Sequence, residues 1–191
     1  GTGRNALAGA GTQTAGLAFG GYTTTWVGST ETYNGSNWTE VNDMNSARSG
    51  VGSGGSQTDA LVFGGGSPGV VKLNEAWNGT NWTEVADLNT ARDQSGGTGI
   101  VTSALAFGGN TGSLTGATEV WNGSTWTEQG DLSVARKFFA SAGANSTSAL
   151  AAGGGTPVSS STEEFTGAGQ PVGAWSTGGN LNTARFELAG A

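Results

Sequence analysis

The sequence predicts an all-β fold built from repeated four-stranded antiparallel units, and three recurring features carry this prediction. An arginine, a double glycine and a tryptophan each recur at a spacing close to 44 residues. Their positions are Arg4, Arg48, Arg92, Arg136 and Arg185; Gly20-Gly21, Gly64-Gly65, Gly108-Gly109 and Gly153-Gly154; and Trp38, Trp82, Trp126 and Trp175. Repetition at this length indicates an array of one supersecondary unit, whose copies cover each other's apolar faces.

The unit at residues 49–92 illustrates the predicted strands. Its first segment, Ser49–Gly55, is small and glycine-rich, and the next contains the apolar run Ala60–Phe63, bounded by glycine. Such a run is typical of a strand that is buried on both faces. Two aromatic-containing segments then flank Asn78-Gly79, a dipeptide that predicts a hairpin with a type I′ turn. Because no helix signal is present, each unit is predicted to be a four-stranded antiparallel meander.

We expect a single domain over residues 1–191. Its units are predicted at about 5–48, 49–92, 93–136 and 137–185, and residues 186–191 repeat the beginning of the first strand. Four-stranded units at this spacing are typical of the blades of a β-propeller, for which four is the lower limit. The four units either close alone, with one redundant copy of the first strand, or form an eight-bladed ring as a head-to-tail dimer.

The repeated residues also carry a family resemblance. In the second unit an apolar strand ends at Gly64-Gly65, and the aromatic Trp77 and then Trp82 follow; the other units match this order. The pattern resembles the kelch motif and covers essentially the whole chain. Segments such as NGTNWTEVADLNTAR resemble the Thr-, Asn- and Gly-rich kelch-like arrays of bacterial and phage surface or tail proteins. The resemblance implies an extracellular, cell-surface or virion location.

Composition disfavours several functional classes. The formal net charge is −7 and only seven Lys and Arg are present, so no basic patch remains to bind nucleic acid. The chain has no histidine and no cysteine, and therefore lacks the commonest general base and the commonest transition-metal ligands. No apolar run approaches the roughly 20 residues that cross a bilayer, so membrane insertion is not expected. We predict no metal and no cofactor.

Glutamates follow the same spacing, at Glu31, Glu75, Glu119 and Glu163. Only 11% of the residues are charged, so a charge at every equivalent position indicates that the arginine of one unit pairs with the glutamate or backbone carbonyls of a neighbour. The alternative is a ring of arginines that binds an anion in a central channel, although the glutamates would neutralise it. The tryptophans are expected to fill the space between blades, with stacking against a sugar as the alternative.

A binding function is expected where the units differ, because repeats build the scaffold and loops carry specificity. The most variable stretch follows the double glycine, at Tyr22–Thr30, Ser67–Asn74, Asn110–Thr118 and Thr156–Thr162. One apolar residue recurs in it, at Trp26, Val70, Leu114 and Val158. If the loops share a face, these residues and Tyr22 form a surface for a sugar or a protein; otherwise each residue tucks under its own loop.

The sequence favours a non-enzymatic propeller that serves binding or structure, with proteins or glycans as partners. Self-association and a place in a larger assembly both stay open. The alternative is a carbohydrate-active enzyme domain of galactose-oxidase-like or glycosidase type. The first type needs copper-binding His and Tyr with a Cys, and the second needs two non-equivalent acids in one cleft. The acids outside the repeat are Asp59, Asp93, Glu164 and Glu187, and no spacing brings them together.

Overall fold

The computed structural model describes residues 3–155, 157–167, 172–185 and 187, which contain sixteen strands and no helix. The strands form four antiparallel sheets of four strands each, which we call blades 1 to 4. Blade 1 contains β1 (Ala8–Thr12), β2 (Ala15–Phe19), β3 (Thr30–Tyr33) and β4 (Trp38–Val41). Blade 2 contains β5 (Gly52–Gly55), β6 (Ala60–Phe63), β7 (Asn74–Trp77) and β8 (Trp82–Val85). Blade 3 contains β9 (Gly96–Ile100), β10 (Ser103–Phe107), β11 (Thr118–Trp121) and β12 (Trp126–Glu128). Blade 4 contains β13 (Ala140–Asn145), β14 (Ser148–Ala152), β15 (Thr162–Thr166) and β16 (Ala174–Thr177).

Each blade is a meander in which consecutive strands pair antiparallel. In blade 2, Leu61 lies opposite Gly54 on β5 and opposite Ala76 on β7. The first strands of neighbouring blades contact each other in the series β1, β5, β9 and β13, so the first strands are innermost and the fourth strands outermost. The predicted all-β fold class, with four-stranded antiparallel blades in a propeller-like array, is confirmed.

Part of the predicted organisation lies outside the described residues. Of the terminal segment 186–191, the structure describes only residue 187, and Thr156 at the start of the fourth variable loop is also outside the described residues. Each blade falls within one of the predicted units, but that the chain forms a single domain stays a prediction.

Apolar side chains fill the space between successive blades, and the interior second strands β6 and β10 are covered on both faces. In β6, Leu61 and Phe63 pack toward blade 3, whereas Ala60 and Val62 pack toward blade 1. All four side chains are fully buried. The described residues form three such cores, one between each pair of consecutive blades. Since burial of one large apolar side chain contributes roughly 1.5–3 kcal/mol, interblade packing supplies most of the apolar stabilisation.

Tryptophans of the fourth strands close these cores on their outer side. Trp82 of blade 2 meets Phe19 of blade 1 edge-to-face, with 5.0 Å between the ring centroids. The equivalent pairs in the next two interfaces are Trp126 with Phe63 and Trp175 with Phe107. Trp38 in blade 1 has no preceding blade among the described residues, and its side chain is half exposed.

The hairpin between the third and fourth strands is present in each blade, but the type I′ turn predicted at Asn78-Gly79 is wrong. Gly79 has a φ of 88°, whereas Asn78 is not among the residues with positive φ. The Asn78 side chain instead closes a four-residue loop, because its Oδ1 accepts hydrogen bonds from the amides of Thr80 and Asn81 at 3.0 and 2.8 Å. An asparagine side chain that mimics a backbone acceptor removes the need for positive φ at its own position.

The double glycines end the second strands at a point where the chain approaches another backbone closely. Gly64 and Gly65 have φ values of 64° and 99°, in the left-handed region that other residues avoid. The Gly65 amide donates to the carbonyl of Arg92 at 2.8 Å. A Cβ on Gly64 would lie 2.4 Å from that same carbonyl oxygen, so no side chain fits there.

We predict that Gly64→Ala destabilises the protein by about 2 kcal/mol or more, because a non-glycine residue in the left-handed region costs about 1–3 kcal/mol before the clash is counted. Chemical denaturation followed by tryptophan fluorescence measures the change. Gly69→Ala is the matched control, since a Cβ there meets nothing within 4 Å, and its effect should stay within about 0.5 kcal/mol. Equal stability of the two variants would contradict the prediction.

Candidate functional site

The repeated arginines and glutamates form buried ion pairs between units. Arg48, which follows blade 1, donates from Nη2 to Glu75 Oε1 of blade 2 at 2.8 Å, and both side chains are essentially inaccessible to solvent. Its Nη1 donates to the carbonyls of Gly64 and Leu73 at 2.8 and 2.7 Å. The equivalent pairs are Arg4 with Glu31, Arg92 with Glu119, and Arg136 with Glu163. In all four pairs the glutamate belongs to the blade that follows the arginine in the chain.

The glutamates also hold the loop that connects two blades. The carboxylate of Glu75 accepts hydrogen bonds from the amides of Asn45 and Ser46, at 2.7 and 3.3 Å. Amides at the corresponding loop positions donate to Glu119 and to Glu163. The interior carboxylates are therefore fully engaged, each by a guanidinium and two amides, and are not available to a substrate.

Burial lowers the pKa of the Arg48 and Arg92 guanidinium groups, and the adjacent carboxylates of Glu75 and Glu119 oppose this change. Arginine nevertheless stays protonated in proteins. The side chains of Arg48 and Arg92 are turned into the blade interfaces, and the four paired arginines do not line the space between the inner strands. The structure gives no arginine-lined anion channel among its described residues.

Arg185 differs from the other repeated arginines. Its backbone is anchored to blade 4, because its carbonyl accepts from Gly154 N at 2.7 Å and its amide donates to Ser159 O at 3.1 Å. Arg185 is exposed, and no described carboxylate lies within ion-pair distance of its guanidinium. Arg185 thus has the backbone position of an interblade arginine, with no ion-pair partner among the described residues.

A cleft of about 560 Å³ lies between the inner strands. It is lined by parts of β1, β5, β9 and β13, with Leu17 and Trp38 of blade 1. Most lining residues are glycine, alanine, serine or threonine, and none has a side chain that titrates near neutral pH. The described lining offers peptide groups, hydroxyls and apolar surface, which suit hydrogen bonding and van der Waals contact with a neutral ligand.

Glycine lets the inner strands approach at backbone distance. A Cβ on Gly54 would lie 2.7 Å from the carbonyl oxygen of Gly99 in the next blade, so a larger residue would separate β5 from β9. Hydroxyls then join the strands laterally. Ser53 Oγ donates to Gly9 O at 3.2 Å, and Ser141 Oγ donates to Gly97 O at 3.1 Å. These hydroxyls are engaged within the protein.

Trp38 forms part of the wall of this cleft and is the functional candidate that the sequence did not single out. Trp38 is 49% exposed, and the centroid of its ring lies 5.0 Å from the ring centroid of Tyr33. The sequence predicted that Trp38, like the other repeated tryptophans, fills the space between blades.

No contact among the described residues joins the five predicted loop residues into one surface. Tyr22 and Trp26 contact each other edge-to-face within one loop, with 5.6 Å between ring centroids, and both are partly buried. Val70 and Leu114 pair with Gly66 and Asn110 of their own loops and are also partly buried, whereas Val158 is exposed. None of the five lines either of the described cavities. That they bind a ligand stays a prediction.

The acids outside the repeat are dispersed. Asp93 accepts a hydrogen bond at 3.0 Å from Nδ2 of Asn110, which belongs to the same unit. Glu164 lines a second, smaller cavity of about 340 Å³ beside Leu150 and Phe165, and it is the single acid in that lining. In the described part of the chain, no cluster of three or more acidic residues could hold a metal ion. The described residues also include no helix long and apolar enough to span a membrane.

Comparison with protein-family models gives no match for this chain, and comparison with curated proteins gives none either.

We predict that Arg92→Ala destabilises the protein by about 3–5 kcal/mol, because removal of one partner leaves the buried carboxylate of Glu119 without its counter-ion. Lys72→Ala, which removes an exposed cation, should change stability by no more than about 0.5 kcal/mol. Thermal or urea denaturation of both variants measures the difference. If the two variants lost similar stability, the pair would not be a structural contact of this importance.

Proposed function

We propose that this chain is a kelch-like β-propeller scaffold without catalytic activity, and that it binds glycans or other proteins through its loops at the surface of a cell or virion. The observation that carries the proposal is the location of the charged side chains. The paired arginines and glutamates lie inside blade interfaces, and the described lining of the cleft between the inner strands contains no titratable group. A site of this composition supports recognition better than acid–base chemistry.

The order of residues within each blade supports the kelch-like assignment. In blade 2, Gly64-Gly65 ends the second strand, Trp77 ends the third and Trp82 begins the fourth. Trp77 and Trp82 lie opposite each other across the hairpin, with 5.3 Å between ring centroids. Blade 3 repeats the arrangement with Trp121 and Trp126. The elements of the kelch motif therefore stand at structurally equivalent points.

The loop with Tyr22 and Trp26 is the best candidate for ligand contact. It extends from the second to the third strand of blade 1, and both aromatic residues keep part of their surface accessible. The Trp26 ring packs edge-to-face against Tyr22. A partly exposed indole presents an apolar face with a polar edge, which suits stacking with a sugar or contact with a protein side chain.

A carbohydrate-active enzyme is the weaker hypothesis. A glycosidase uses two carboxyl groups about 5–9.5 Å apart across the scissile bond. The described lining of the larger cavity contains no carboxylate, and that of the smaller cavity contains Glu164 alone. No observation on the described residues favours a second candidate function.

We predict that the wild-type chain binds a subset of glycans on an array and that Trp26→Ala weakens this binding by about tenfold or more, as expected when an aromatic anchor is removed. Ile100→Ala removes an exposed apolar residue at a hairpin of blade 3 and should leave binding unchanged. If no glycan binds, the sugar-contact part is wrong and a structural or protein-binding role remains. Hydrolysis or oxidation of a bound glycan would instead support the enzyme hypothesis.

A further inference from the structure

The hairpins between the third and fourth strands carry the same reactive pair of residues in three blades. Each of these hairpins begins with an asparagine followed by a glycine: Asn34-Gly35, Asn78-Gly79 and Asn122-Gly123. The three asparagines are exposed, at the end of the blades opposite to the variable loops. Asparagine is thermolabile because the backbone nitrogen of the next residue can attack its side-chain carbonyl. The hairpins therefore present three positions at which the covalent structure can change.

The nitrogen that makes this attack is free in all three hairpins. The amides of the three glycines donate no hydrogen bond to a described residue. Glycine also has no Cβ, so no side chain shields its nitrogen. Asn145 provides the contrast: it is followed by Ser146, whose amide donates to Ser103 Oγ at 3.4 Å. The attack is thus hindered at Asn145 by a side chain and a hydrogen bond that the glycines lack.

The hairpins also supply donors to the oxygen on which negative charge develops. Oδ1 of Asn78 accepts hydrogen bonds from two backbone amides of its own loop, at 3.0 and 2.8 Å. Oδ1 of Asn34 accepts from the two equivalent amides, at 3.0 and 2.9 Å. When the nitrogen attacks Cγ, this oxygen becomes an oxyanion, and placed backbone amides stabilise such an anion. The contacts that close the loop therefore favour the first step of the reaction.

The leaving nitrogen distinguishes the third hairpin from the other two. Nδ2 of Asn122 donates to Thr125 Oγ1 at 3.2 Å, whereas the hydroxyl reaches Oδ1 only at 3.5 Å. In the other two hairpins an asparagine takes the place of Thr125, and Nδ2 of Asn34 and of Asn78 donates to no residue in the described part of the chain. Loss of ammonia from Asn122 therefore requires that one hydrogen bond breaks first.

We propose that Asn34 and Asn78 are sites of spontaneous deamidation in the folded protein, and that Asn122 reacts more slowly. The glycine nitrogen loses its proton and forms a bond to Cγ, which closes a five-membered ring. The bond from Cγ to Nδ2 then breaks, and Nδ2 takes up a proton and leaves as ammonia. Water opens the resulting succinimide at either carbonyl, which gives aspartate or isoaspartate. The net reaction consumes one water and needs no oxidant, reductant or cofactor.

Each event changes the charge of a hairpin and, in one product, its backbone. Aspartate keeps an acceptor at Oδ1, and a carboxylate accepts from amides more strongly than a neutral carbonyl does. Isoaspartate adds one atom to the main chain, which displaces the two amides. Each product adds a negative charge to a chain whose formal net charge is already −7. The hairpins lie away from Tyr22 and Trp26, so the inference does not depend on the proposed ligand of the loops.

Incubation of the folded chain at neutral to mildly basic pH, followed by peptide mapping with mass spectrometry, tests the proposal. We expect deamidation at Asn34 and Asn78 at rates about two- to tenfold above that at Asn122, the effect of one hydrogen bond. Asn81 and Asn145 are internal controls and should stay intact, because tryptophan and serine follow them. If Asn34 and Asn78 stay intact for as long as an unfolded Asn-Gly peptide of this chain takes to deamidate, the proposal is wrong.

Exchange of one residue between two hairpins tests the role of the leaving nitrogen. Thr125→Asn removes the hydroxyl and should raise the rate at Asn122 to that at Asn78. Asn81→Thr places a hydroxyl beside Asn78 and should slow its deamidation by about two- to tenfold. Both positions are exposed, and each replacement is the residue that stands at the equivalent position of another blade. Rates that do not change in these opposite directions would overturn the assignment of the slower site to the Thr125 contact.

Unfolding separates the contribution of the hairpin from that of the Asn-Gly sequence. In concentrated urea the loop amides no longer meet Oδ1, and the Thr125 hydroxyl no longer meets Nδ2. We therefore expect Asn34, Asn78 and Asn122 to deamidate at one common rate in the unfolded chain. If the rate at Asn122 stays below the other two in urea, the difference comes from the local sequence, and the structural explanation is wrong.

Discussion

The buried ion pair between the arginine that follows one blade and the glutamate of the next is the interaction on which the rest of the structure depends. Attraction between two buried charges is largely offset by their desolvation, so such pairs are weak as a source of stability. Their contribution here is geometric. Arg48 reaches Gly64 O, Leu73 O and Glu75 at the same time, and Glu75 also accepts two amides of the preceding loop. Only one relative placement of two blades satisfies all of these groups.

With the blades placed in this way, two other features of the sequence follow. The second strands of the two interior blades are covered on both sides, so a continuous apolar segment such as Ala60–Phe63 contributes to two cores. The first strands meet at the centre, where Gly54 and Gly97 permit contact between backbones and hydroxyls of Ser53 and Ser141 bridge the strands. Each blade depends on its neighbours and on no distant part of the chain, as in other repeat proteins.

This dependence gives the two ends of the array a special status. An interior blade satisfies both of its faces, whereas blade 1 and blade 4 each leave one face with exposed apolar groups. The repeated charges are engaged within the interfaces. The proposed ligand contact of the Tyr22 and Trp26 loop uses a different surface.

Periodicity alone predicted the number of repeats, the four strands of each blade and the antiparallel meander. These features depend on the residue pattern within each strand and on residues repeated at one spacing, and both can be read directly from the sequence. The turn at Asn78 was predicted wrongly because a side-chain hydrogen bond to Thr80 and Asn81 replaced the backbone conformation that the dipeptide favours. The tertiary structure alone decided the fate of equivalent residues at the ends of the array. Trp38 and Trp82, or Arg185 and Arg92, are alike in local sequence. They differ in burial and partners because, among the described residues, a neighbouring blade packs against Trp82 and Arg92 and none packs against Trp38 and Arg185.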